Sequence, residues 1–117
     1  MPSEGPRPPS AAQASAAAGA VWVNGALVPP GEPVLAPDDR GFTLGDGLFE
    51  TMRAYGGRVF RLRAHLERLR ASADRLGIPV PPDLEDAVRA TVAASGLDSA
   101  AVRLTVSRGV GGVGLAP

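Results

Sequence analysis

The sequence predicts an α+β domain, a mostly antiparallel sheet covered by two helices, and three observations carry that expectation. Val21-Trp22-Val23 and Ala26-Leu27-Val28 flank Asn24-Gly25, the strongest short hairpin signal a sequence offers. Leu62, Leu66, Leu69, Ala73 and Leu76 recur at spacings of four and three, the stripe of an amphipathic helix. Ala101 to Ser107 is β-branched and alternating, so a strand returns after the helices. Hairpins followed by helices and another strand are the pattern of an α+β domain.

The elements follow in order. Residues 1–19 are almost entirely Pro, Ala, Ser and Gly, too poor in apolar bulk to offset chain entropy, and read as a disordered tail ahead of a domain over residues 20–117. Pro29-Pro30-Gly31 ends the first hairpin. Pro37 to Gly47 is dense in turn formers and reads as a loop. From Leu48 to Tyr55 two sets of side chains alternate, Leu48/Glu50/Met52/Ala54 and Phe49/Thr51/Arg53/Tyr55, until Gly56-Gly57 turns the chain into Arg58-Val59-Phe60, a second hairpin. The leucine-striped helix closes at Gly77 and Pro79. A second helix runs from Asp83 as N-cap through Leu84, Val88 and Val92 to Gly96. Gly109 to Gly114 is a glycine-rich loop directly after a well-formed strand, so the domain reads as the beginning of something longer.

Composition narrows the function. The 117 residues suit one domain with a modest core. Twelve basic and twelve acidic side chains leave no net charge to draw nucleic acid or an anionic membrane. The absence of Cys removes disulfides, thiolate metal sites and a Cys nucleophile, and fits a reduced, cytoplasmic setting with no metal. No apolar run approaches the roughly 20 residues of a membrane helix. All twelve basic side chains are arginine. A genome rich in G and C explains most of that bias, but the chemical consequence is that no lysine is present to form a Schiff base.

Taken alone, the residues offer few sites. At about 100° per residue, Arg61, His65, Arg68 and Ser72 fall along one flank of the leucine stripe. Such a polar border suits an anion, because an Arg fork matches phosphate oxygens, yet an ordinary solvated helix face is the stronger reading. His65 by itself reads as a hydrogen-bonded boundary residue. Gly45-Asp46-Gly47 lacks the marks of a phosphate-binding glycine loop. Asp38, Asp39, Asp46 and Glu50 read as solvated turn residues, since no spacing forces two of them together.

Five segments taken in order change those odds. They are Val23-Asn24-Gly25; Asp39-Arg40-Gly41-Phe42; Gly45-Asp46-Gly47-Leu48-Phe49-Glu50-Thr51-Met52-Arg53; His65-Leu66-Glu67-Arg68-Leu69; and Val102 to Gly109. Together they resemble the N-terminal domain of class IV aminotransferases, a family that includes branched-chain aminotransferase, D-amino-acid aminotransferase and 4-amino-4-deoxychorismate lyase. The resemblance runs from Val21 to Gly114.

It implies the small N-terminal domain of a fold-type IV enzyme, with pyridoxal 5'-phosphate (PLP) held between two domains of a homodimer. It assigns the cofactor phosphate to Arg68 and substrate contacts to Phe49, Arg103 and Arg108. The family's Schiff-base lysine and the carboxylate facing the pyridine nitrogen belong to a C-terminal domain absent here, so the chain carries no catalytic residue and is expected to be inactive alone. The implied substrate is a small amino acid or amino-chorismate. Val113 and Leu115 stand where D-amino-acid enzymes carry Arg and His, which counts against that branch. The stretch from Ser107 to Gly112 looks lyase-like, whereas Arg103 matches a pocket Arg of branched-chain enzymes. The contrasting expectation is a free-standing small binding or interaction domain without catalysis.

Overall fold

Asn24 and Gly25 take φ of 48° and 99°, the two positive angles of the turn whose twist matches a two-residue hairpin. They join β1 (Val21–Val23) to β2 (Ala26–Val28), with Val23 opposite Ala26. The computed structural model describes residues 19–29, 31–32 and 34–111. The tail expected over residues 1–19 therefore lies outside the described residues except for Gly19, as do Val113 and Leu115.

Where a loop was expected, the chain makes one helical turn, α1 (Arg40–Leu44). The cause is local: the Asp39 carboxylate accepts a hydrogen bond from Gly41 N at 2.8 Å, and Gly45 closes the turn by donating to Arg40 O. Next come β3 (Gly47–Tyr55), β4 (Arg58–Val59), α2 (Leu62–Leu76), α3 (Leu84–Ser95) and β5 (Ser99–Ser107). The second sheet has the order β4-β3-β5 and is antiparallel throughout, with β3 and β5 paired from Gly47↔Ser107 to Tyr55↔Ser99. Strand β5 thus begins two residues before the stretch read from sequence.

The alternation of β3 sorts its side chains between two faces. Met52 and Ala54 face the helices and join Ala100, Val102 and Val106 of β5 in one core with Leu62, Leu66, Leu69 and Ala73 of α2 and Leu84, Val88 and Val92 of α3. Phe49, Thr51, Arg53 and Tyr55 face outward and are exposed. Two details depart from the sequence reading. Leu76, the last residue of α2, is 52% exposed and lies outside the core its stripe was expected to join. Asp83 occupies the N-cap position of α3, but its side chain makes no capping bond. Among the described residues no helix is long and apolar enough to cross a membrane.

Candidate functional site

Strand β3 carries a carboxylate into its apolar set. Glu50 shares the inward parity of Leu48 and Met52, and it is one of two buried charged residues among those described, 7% exposed beside Arg40 at 5%. A buried carboxylate requires a partner, and α2 supplies one. Arg68 Nε donates to Glu50 Oε1 at 2.6 Å and Arg68 Nη2 to Oε2 at 2.7 Å, a two-pronged contact. His65, one turn earlier on the same helix, brings Nδ1 to 3.4 Å from Oε2. The Arg68 hydrogen bonds hold the Glu50 carboxyl below its usual value against the opposite push of burial, and His65 adds to the lowering. In return Glu50 raises the pKa of Arg68.

The pair is asymmetric. The Glu50 side chain is 8% exposed and that of Arg68 69%. Glu50 engages the Nε–Nη2 edge of the guanidinium, and Nη2 also lies 3.5 Å from His65 Nδ1, so Nη1 is the nitrogen not engaged by Glu50 or His65 in these contacts. Beside Arg68 lies a pocket of about 240 Å³ lined by Leu48, Phe49, Glu50, Arg68, Leu69 and Ser72. An exposed Arg side chain, a hydroxyl at Ser72 and apolar walls are features that suit a small oxyanion.

A second cluster forms at Asp46. Its Oδ2 accepts from Arg108 Nε at 2.8 Å and from Arg40 Nε at 3.0 Å, and these contacts, Arg108 first, lower its pKa. Arg108 also donates Nη2 to Leu76 O at 2.9 Å and Nη1 to Gly77 O at 3.2 Å, fastening the end of β5 to the last turn of α2. The reading of Asp46 and Glu50 as solvated turn residues is therefore overturned. Asp46 meets Arg108 from 62 positions away as well as the nearby Arg40, and Glu50 meets Arg68 from 18 positions away.

On the outer face, the Arg103 guanidinium carbon lies 4.2 Å from the centroid of the Phe49 ring, a cation–π contact between diagonal neighbours of β3 and β5. Phe49 also borders the Arg68 pocket. Phe49 thus touches both Arg103, on the outer face, and the Arg68 pocket, while Arg108 is turned to Asp46 and the end of α2. Of the helix flank named from sequence, His65, Arg68 and Ser72 converge on this region. Arg61 instead forms the N-cap of α2 with φ of 57°. Glu50, Asp46 and Arg40 were missed. The one signal for Glu50 was its place in the Leu48/Met52/Ala54 set, because a charge with inward parity demands a counter-charge.

Comparison with known proteins assigns a relationship to this geometry. The family model for amino-transferase class IV matches residues 47–117. A putative branched-chain-amino-acid aminotransferase of Methanocaldococcus jannaschii is 40% identical over 100 residues, covering 83% of this chain and 35% of that protein. A hypothetical aminotransferase from Mycobacterium tuberculosis, solved with alpha-ketoglutarate and PMP bound, superposes with a TM-score of 0.70 at 39% identity, covering 80% of this chain and 35% of that one. The 4-amino-4-deoxychorismate lyase from Pseudomonas aeruginosa superposes with a TM-score of 0.65 at 38% identity, covering 73% and 31%. The chain spans about a third of the length of the curated relatives it matches.

Proposed function

Because the chain belongs to the amino-transferase class IV family, we propose that it is the cofactor- and substrate-shaping part of a PLP-dependent aminotransferase or aminodeoxychorismate lyase. The enzyme acts on a small amino acid or amino-chorismate, as a cytoplasmic homodimer. One observation carries the reading: Arg68 is held on a buried carboxylate by a two-pronged contact while its exposed side chain lines a pocket.

When bound, PLP supplies an electron sink for bond breaking at the amine-bearing carbon of the substrate. Arg68 would hold the phosphate, and Ser72, one turn further along α2, lines the same pocket with a hydroxyl-bearing side chain. Phe49 forms a wall of the substrate space and keeps the Arg103 guanidinium over its ring, where the cation meets the substrate carboxylate. Arg108, the third residue expected at the substrate, has its Nε, Nη1 and Nη2 engaged by Asp46, Gly77 and Leu76, so a substrate contact there requires it to exchange one of those bonds. None of the 117 residues is lysine, so the amine that would anchor the cofactor and move protons at the reacting carbon is not supplied by these residues. The chain by itself is inactive.

Cofactor retention in the lysine-bearing enzyme tests the reading. A charge-assisted contact contributes about 1.5–3 kcal/mol, so Arg68→Ala weakens retention by roughly 10- to 150-fold. Arg68→Lys restores only part, because a point charge does not reproduce the fork. Arg61→Ala, at the helix N-cap, changes little. Equal retention by Arg68→Ala and parent, or equal loss in Arg61→Ala, overturns the assignment. For the chain alone, borohydride reduction after incubation with PLP leaves the intact mass unchanged once the α-amino group is blocked. A pyridoxyl adduct on a side chain would contradict this.

A further inference from the structure

We propose that Glu50 is the positioning residue of the Arg68 anion site: it fixes the guanidinium by the Nε–Nη2 edge and thereby orients the unengaged Nη1 beside the pocket. The inference rests on the reading that Arg68 takes a phosphate, and goes beyond it by assigning a role to a carboxylate whose own charge repels an anion.

The geometry separates an anchor from an arm. Glu50 sits on β3, the central strand of its sheet, paired with Leu104 of β5. Its side chain is 8% exposed, and both of its oxygens are occupied by Arg68 at 2.6 and 2.7 Å. Arg68 stands on a helix surface with its side chain 69% exposed, where a long, rotamer-rich side chain would otherwise sample many orientations. Two short charge-assisted bonds to an immobile carboxylate select one orientation before any ligand arrives. An anion then binds without first having to order the arginine, which for one side chain is equivalent to about 2- to 12-fold in affinity. His65 Nδ1, 3.4 Å from Oε2, flanks the carboxylate on the same helix face and limits its swing.

The sign of the effect distinguishes positioning from plain electrostatics. A carboxylate beside an anion site is repulsive through space. If Glu50 were only a nearby negative charge, removing it would tighten phosphate binding. As a positioning residue, its removal loosens binding.

The experiment uses the 117-residue chain and inorganic phosphate, read by ¹H–¹⁵N NMR of the arginine Nε–H groups. In the parent, Arg68 Nε–H is shifted and protected by its bond to Glu50, and the Arg68 signals move saturably with phosphate. Glu50→Gln keeps the volume and removes the charge. Its Arg68 Nε–H returns to the position of a free arginine, and the dissociation constant rises by about 2- to 12-fold. Glu50→Asp keeps the charge but shortens the reach, so it also weakens phosphate binding, and this variant carries the test if Glu50→Gln does not fold. In an Arg68→Ala background, Glu50→Gln has no loosening effect. Tighter or unchanged binding in both Glu50 variants, while Arg68→Ala loses it, overturns the positioning role and leaves the Arg68 assignment standing. Unchanged binding in Arg68→Ala overturns the assignment itself.

Discussion

Arg108 Nε meets Asp46 Oδ2 at 2.8 Å across 62 positions of sequence, and the same guanidinium donates to the carbonyls of Leu76 and Gly77. One side chain therefore ties the end of β5 both to the start of β3 and to the C-terminal end of α2, whose last carbonyls have no partner within the helix.

Arg108→Ala is expected to lower stability by about 1–3 kcal/mol through the two helix-end bonds alone, at a net 0.5–1.5 kcal/mol each, with the loss at Asp46 in addition. Asp46→Asn keeps the helix-end bonds and is milder. Urea denaturation of both variants checks the order. If Asp46→Asn costs more than Arg108→Ala, the helix-end bonds are not what Arg108 contributes.

Stability should fall on the acid side, and Glu50 and Asp46 should carry much of that fall. Both carboxyls sit below their usual values in the folded chain, so below the ordinary carboxylate pKa the unfolded chain binds more protons than the folded one. Their contribution is fully present at neutral pH, declines as pH drops from the ordinary value, and is gone once pH falls below the lowered folded value. Denaturation midpoints taken from pH 7 downward show a shallower acid limb in Glu50→Gln than in the parent. An identical limb means that Glu50 gains nothing from its partners.

A Cβ at Gly41 would come within 2.6 Å of Ser107 Cβ. Gly41→Ala is therefore expected to cost about 1–3 kcal/mol, the usual range for forcing a group into a filled space. Ser107→Gly in the same chain should recover part of that, because the two changes share one contact. Strictly additive losses would show that the two positions do not meet.

Arg61 holds φ of 57° at the start of α2. A non-glycine residue pays about 1–2 kcal/mol there, and glycine about 0.5–1 kcal/mol in chain entropy, so Arg61→Gly should raise stability by roughly 0.5–1 kcal/mol. Thermal unfolding measures this, and a lower midpoint in Arg61→Gly would refute it. Phosphate binding at Arg68 should be unaffected.

What could be read from the sequence was local. Asn24-Gly25 and Gly56-Gly57 dictate their turns through backbone angles, and the Leu62/Leu66/Leu69/Ala73 repeat declares a helix face. The alternation from Leu48 to Tyr55 separates the two faces of a strand. The order of short motifs around Arg68 also pointed to the family before any coordinates, because each lies within a few residues. Even locally, α1 was missed: Asp39, Gly41 and Gly45 are turn formers whose combined capping of a single helical turn does not show in composition.

The sequence by itself thus determined the α+β class and the two long helices, since periodicity and turn chemistry act over a few residues, whereas Arg68 came forward as a phosphate candidate only through the family resemblance. Only the tertiary structure decided which charges meet. Glu50 became the anchor of Arg68 because the parity of β3 and the packing of α2 on the sheet bring residues 18 apart to 2.6 Å. Asp46 found Arg108 because β5 runs the full length of β3. Neither pairing is encoded in spacing. A long-range ion pair depends on where two elements pack, and that is set by the burial of Met52, Leu66, Leu69 and Val102 together, not by the charged residues themselves.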